Sequence, residues 1–110
     1  MLMATYFLIL AIVCEVAGTT ALKFTNGFTN IGPSAVVVIG YGLSYYFLSL
    51  ALKGYGIGAL YAIWAGVGTV LIYLIGIWFL KEPFHPIQLL WIGLIIAGVT
   101  GLQMGSRVGA

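Results

Sequence analysis

Four long apolar runs alternate with short polar breaks along the chain, covering residues 4–22, 33–52, 59–80 and 86–104. Lys23 halts the first run, and the polar stretch "KFTNGFTNIG" leads to Pro33, which sits where a helix accepts its first residue. The second run ends at "KGYGIG", the third stops at "KEPFHP", and Pro86 opens the fourth, which leaves the tail "GSRVGA". A membrane-crossing helix needs about 20 predominantly apolar residues, so each run is long enough to span. Backbone groups in lipid must bond one another, which makes helices the expected form for runs of this length. Four spans take about 80 residues and leave about 30 for loops and ends, with no room for a soluble domain. The pattern predicts an all-α integral membrane protein: one transmembrane domain of four helices over residues 1–110. The first run is not expected to be a cleaved signal peptide, because it lacks a basic leading region and Glu15 interrupts it.

Composition sharpens this picture. The chain is 63% hydrophobic and 5% charged, where a soluble domain carries about 25% charged residues. Its charges are Glu15, Lys23, Lys53, Lys81, Glu82 and Arg107. They form no basic patch, so nucleic acid is not an expected partner. The lone Cys14 excludes an intrachain disulfide and reads as a small packing residue. There is no Ser/His/Asp set, no metal-ligand cluster and no phosphate-binding loop, so neither an enzyme nor a metal or other cofactor is expected. His85, between Pro83 and Pro86, and Glu82, beside Lys81, read as interfacial loop residues.

Loop charges set membrane orientation. The N-terminus, the second loop (Lys53) and the tail (Arg107) share one side, and the first loop (Lys23) and third loop (Lys81) share the other. Two cations face two, so the sequence chooses no orientation. Blurred helix ends can hide a weak bias. Alternatively, the chain inserts both ways and pairs with an inverted copy, which supplies the symmetry that larger transporters build from inverted repeats.

Glu15 is the one ionisable acid inside a span. An ionised side chain at mid-bilayer costs about 2.5–3.5 kcal/mol on insertion scales, and such residues face a cavity or the bundle interior. Helical spacing places Leu8, Ala11, Ile12, Gly18, Thr19 and Leu22 on its face. Several are small and leave room beside the carboxyl, which can hold a proton or a cation; a structural carboxyl bonded to a neighbouring helix is the plainer alternative. Tyr41, Ser44, Tyr45 and Leu48 share a face of the second helix, and Tyr61, Trp64 and Gly68 share one in the third. Aromatic rings beside a carboxylate suit a flat or greasy cation. Tyr6, Tyr55, Trp78 and Trp91 lie near span ends and read as interfacial anchors. Gly66 and Gly68 can loosen the third helix. Gly93, Ala97, Gly101 and Gly105 form a small-residue stripe on the fourth, read as an association face, with packing inside one chain as the alternative.

Three stretches carry a family resemblance. "EVAGTTALKF", "YAIWAGVG" and "GLIIAGV" resemble the small multidrug resistance transporters, over nearly the whole chain. The resemblance implies an antiparallel, dual-topology homodimer in the bacterial inner membrane that exchanges protons for lipophilic or quaternary ammonium cations. On that resemblance Glu15 binds proton and substrate competitively, with Ala11, Ile12, Gly18 and Thr19 lining the site. Tyr41, Ser44, Tyr45, Tyr61 and Trp64 would surround the substrate, Gly66 and Gly68 would bend the third helix, and the fourth-helix stripe would hold the dimer. Guanidinium-exporting relatives usually carry a Trp soon after the glutamate, as in "EVxWAxxLK". Here the stretch Glu15-Val16-Ala17-Gly18-Thr19 resembles the multidrug branch instead. Gly56, Leu60, Trp91 and Tyr45 depart from common family residues, at positions that touch loop mobility and pocket shape. Rival readings are a guanidinium or polyamine exporter, one half of a heterodimer, a rotor-ring proteolipid and a purely structural subunit. The charge tie counts against a heterodimer, four spans with an aromatic face count against the rotor, and Glu15 is unexplained by a structural subunit.

Overall fold

The computed structural model describes residues 2–105. Arg107, counted among the tail charges above, lies outside them. The described residues form four helices: α1 (Leu2–Leu22), α2 (Ile31–Ala51), α3 (Ile57–Trp78) and α4 (Ile87–Gly105). All four are long and apolar enough to cross a membrane. At about 1.5 Å per residue, each reaches roughly the 30 Å of a bilayer's hydrocarbon core.

Helix ends differ from the expected ones by a residue or two, for backbone reasons. Helix α2 begins at Ile31, two residues before the expected start at Pro33. A proline is tolerated there because first-turn amides have no helical acceptor. The side chain of Asn30, at the cap position, turns back instead: its Nδ2 donates to the Phe24 carbonyl at 2.8 Å. The same loop closes on Thr25, whose carbonyl accepts from the amides of Thr29 at 2.9 Å and Asn30 at 3.0 Å. Asn26, Gly27 and Phe28 turn the chain with positive φ values of 48°, 68° and 68°.

Helix α3 ends at Trp78, short of the expected residue 80. Lys81 adopts a φ of 56°, and the Glu82 amide folds back to donate to the Gly76 carbonyl at 2.9 Å. A left-handed residue just past the last turn is a common way to satisfy the orphan carbonyls of a helix end. The Glu82 carboxylate also lies over Gly76, where a Cβ would collide with it.

The chain divides into two helix pairs, α1–α2 within residues 1–54 and α3–α4 within residues 55–110. In the first, antiparallel pair, Phe7 stacks on Phe47 with centroids 6.2 Å apart, and the Ser44 hydroxyl donates to the Ala11 carbonyl at 2.8 Å. The second pair is laced near both ends. Gln103 Nε2 donates to the Tyr55 hydroxyl at 3.0 Å, and the Tyr73 hydroxyl donates to Gln88 Oε1 at 2.5 Å. Between these ties an apolar cavity of about 230 Å³ is lined by Gly66, Val67, Val70, Leu71, Ile96, Val99 and Thr100.

Candidate functional site

Helix α2 presents Val37, Gly40, Ser44, Leu48 and Ala51 as its buried line, a spacing of three and four residues. Gly40 lies in tight backbone contact with α1. A Cβ there would lie 2.9 Å from the Cys14 carbonyl oxygen and 3.2 Å from the Gly18 Cα. Gly18 in turn lies under the Tyr41 ring, whose Cδ1 would be 3.1 Å from an added Cβ. Two glycines thus let the backbones meet one turn from Glu15, and the Tyr41 ring closes over the gap.

That contact decides what surrounds the carboxyl. Glu15 is half-buried on α1. Its Oε1 accepts from the Thr19 hydroxyl at 3.5 Å, the outer limit of a hydrogen bond. Its Oε2 is buried and has no hydrogen-bond partner among the described residues. The Thr19 and Tyr41 hydroxyls are 2.6 Å apart, which is short and strong. Neither α1 nor α2 contains a lysine or arginine, so these two helices hold no cation to pair with Glu15. A carboxylate with one buried, unused acceptor is costly to leave ionised without a ligand. It suits a proton, or a cation that brings its own charge.

The remaining expected residues fall into distinct places. Ala11 and Ile12 are buried on α1 with Gly18. Ser44 is fully buried, and its hydroxyl is engaged by the Ala11 carbonyl. Tyr45 does not join Ser44: it is 61% exposed, because the buried line of α2 runs along its other flank. The expected shared face of Tyr41, Ser44, Tyr45 and Leu48 therefore loses Tyr45. On α3, Trp64 is buried and Tyr61 is 61% exposed, their rings tilted together with centroids 5.5 Å apart.

Helix α3 continues unbroken through Gly66 and Gly68. Gly66 is a packing position: an added Cβ would lie 2.5 Å from Val99 Cγ2 of α4. On α4, Gly93, Ala97 and Gly101 are exposed, and Cβ atoms added at Gly93 or Gly101 would meet nothing within 4 Å. Within the α3–α4 pair, no described residue covers this stretch of the stripe. Gly105 is the last residue of the helix.

Sequence reasoning missed Gly40 and the two Tyr–Gln ties. Gly40 and Ser44 on α2, set against Cys14 and Gly18 on α1, are small residues at four-residue spacing, the same signal that α4 carries. Gln88 and Gln103 are polar residues inside an apolar run, a sequence signal for an intramembrane tie, but spacing alone does not name their tyrosine partners.

Comparison with known proteins places the chain. Residues 3–95 match the model of the family described as Small Multidrug Resistance protein. The chain is 47% identical over 105 residues to a quaternary ammonium compound-resistance protein, QacE, of Escherichia coli, covering 94% of each. It is 45% identical over 102 residues to the uncharacterized membrane protein YvaE of Bacillus subtilis, covering 93% of this chain and 86% of that one. It is 40% identical over 103 residues to the multidrug resistance protein mmr of Mycolicibacterium paratuberculosis, covering 93% and 96%. The chain belongs to the small multidrug resistance family, as a multi-pass transporter of the bacterial inner membrane and not an enzyme.

Proposed function

We propose that this protein is a proton-coupled antiporter that exports lipophilic or quaternary ammonium cations, with Glu15 binding proton and substrate in competition. One observation carries the reading: the only acid within the four helices is half-buried and keeps one buried carboxylate oxygen unused. A single carboxyl that serves both ligands cannot hold both at once. If empty, deprotonated protein rarely changes sides, an inward proton gradient drives the cation outward. The names of the relatives support the substrate class, since they include quaternary ammonium compound-resistance and multidrug resistance proteins.

In this reading Ala11, Ile12, Gly18 and Thr19 line the site around Glu15, and Tyr41, Tyr61 and Trp64 offer ring faces to the cation. Ser44 supports the wall from behind, and Tyr45 contributes only if the substrate reaches the outer flank of α2. The working unit is an antiparallel, dual-topology homodimer. Two oppositely inserted copies supply the two-sided symmetry that four helices lack, and the balanced loop lysines and arginines support both insertions. The exposed stripe of α4 is the association face, and Gly66 and Gly68 allow α3 to bend during exchange.

Binding of tetraphenylphosphonium to the detergent-solubilised protein across pH tests the proposal. Protons occupy the site at low pH, so cation binding strengthens as pH rises through the titration of Glu15, and it vanishes in Glu15→Gln. Proton-coupled cation exchange that survives Glu15→Gln sinks the proposal. Binding of guanidinium with proton release, and none of the bulky cation, keeps the role of Glu15 and moves the substrate to the narrower branch.

A further inference from the structure

Thr19 behaves unlike the other helical threonines whose bonds are defined. Thr20, Thr69 and Thr100 each donate to the carbonyl four residues earlier, at 2.7–2.8 Å. This back-bond is the ordinary use of a threonine hydroxyl inside a helix. The Thr19 hydroxyl lies between two side chains instead, 2.6 Å from Tyr41 and 3.5 Å from Glu15 Oε1. We propose that Tyr41, Thr19 and Glu15 form one hydroxyl chain, in which Tyr41 positions the carboxylate through Thr19 and the chain reverses direction when Glu15 changes protonation. The inference rests on Glu15 being the shared proton and cation site.

The reversal follows from donor counting. An ionised carboxylate only accepts, so Thr19 must donate to Glu15 and therefore accept from Tyr41. Both hydroxyl protons then point towards the acid. A protonated carboxyl can donate to Thr19, whose own proton then turns to Tyr41 and frees the tyrosine proton for another acceptor. The state of Glu15 is thereby passed to an aromatic ring on a different helix. The ring is held in place for this: it lies against Gly18, where a Cβ would come within 3.1 Å of it. No other charge competes in the pair. On α2, the helix packed against α1, Tyr45 and Tyr46 are exposed at 61% and 58%, and no residue of that helix is charged. On α1 the other titratable groups are Cys14, beside Glu15, and Tyr6, more than two turns away.

The test is a direct titration without substrate. The chain has two glutamates, Glu15 and Glu82, so carboxyl carbon-13 labelling of glutamate gives two signals, and Glu82→Gln assigns them. The full-length protein in lipid is titrated as the parent, Tyr41→Phe, Thr19→Val, the double variant and Thr19→Ser. Tyr41→Phe keeps the ring over Gly18, and Thr19→Val keeps the shape, so both preserve the packing. Each removes support for the ionised carboxylate. The midpoint of Glu15 in each moves to higher pH than in the parent by about one unit, a tenfold change in proton affinity. The double variant moves no further than Thr19→Val alone, because the tyrosine acts through the threonine. Thr19→Ser restores the parent midpoint. Unmoved midpoints in the single variants, or shifts that add in the double variant, overturn the chain. Tetraphenylphosphonium plays no part in this titration, so failure to bind it sinks the transport reading and leaves this test intact.

Discussion

Gly40→Ala is the substitution that most sharply tests how the pocket is built. The new Cβ would lie 2.9 Å from the Cys14 carbonyl oxygen, about half an ångström inside ordinary contact at 3.4 Å. That neighbour is backbone and cannot rotate away, so α1 and α2 must separate. Separation stretches the buried bond from Ser44 to the Ala11 carbonyl, now 2.8 Å, and the Thr19–Tyr41 contact, now 2.6 Å. Overpacking of this kind costs about 1–3 kcal/mol. Replacing glycine by alanine in a helix returns about 0.5–1 kcal/mol, so the strain wins. Gly42→Ala is the matched control, since its Cβ would meet nothing within 4 Å. Thermal unfolding in detergent, followed by circular dichroism, should place Gly40→Ala below the parent and Gly42→Ala level with it or above. Tetraphenylphosphonium binding should weaken in the first variant alone. A Gly40→Ala protein that melts and binds like Gly42→Ala refutes the argument that this glycine sets the position of Glu15.

Gly66→Ala should lower the melting temperature through its clash with Val99 Cγ2, and Val99→Ala should recover most of the loss, since both act on one contact. Tyr73→Phe removes the donor in the 2.5 Å tie to Gln88 and should destabilise the α3–α4 pair by about 1 kcal/mol, read by the same melt. Gly101→Leu points a large side chain into open space, so it should leave helix content unchanged and lower the cross-linked dimer fraction. An undiminished dimer fraction would remove α4 as the association face.

Much of this protein was legible before folding. Four apolar runs dictated four helices because lipid gives the backbone no other partner, and that rule needs no tertiary information. Glu15 stood out for a related reason: an acid in an apolar span is costly to place there, so it calls for a proton, a cation or a bonded neighbour. The helix ends slipped where the loop backbone decided them, at Asn30 and Lys81, since a proline marks a permitted start and does not choose one. Periodicity also placed Tyr45 with Ser44, and only packing could separate them. A spacing of three or four residues allows two neighbouring flanks, and the helix that lies alongside selects one. The fold alone decided that Gly40 would meet Gly18, that Ser44 would be bound by Ala11, and that Thr19 would turn from its own backbone towards Tyr41. Composition determines the solvent a chain can live in; which side chain reaches which hydroxyl depends on distances of a few tenths of an ångström between helices, and no residue count contains them.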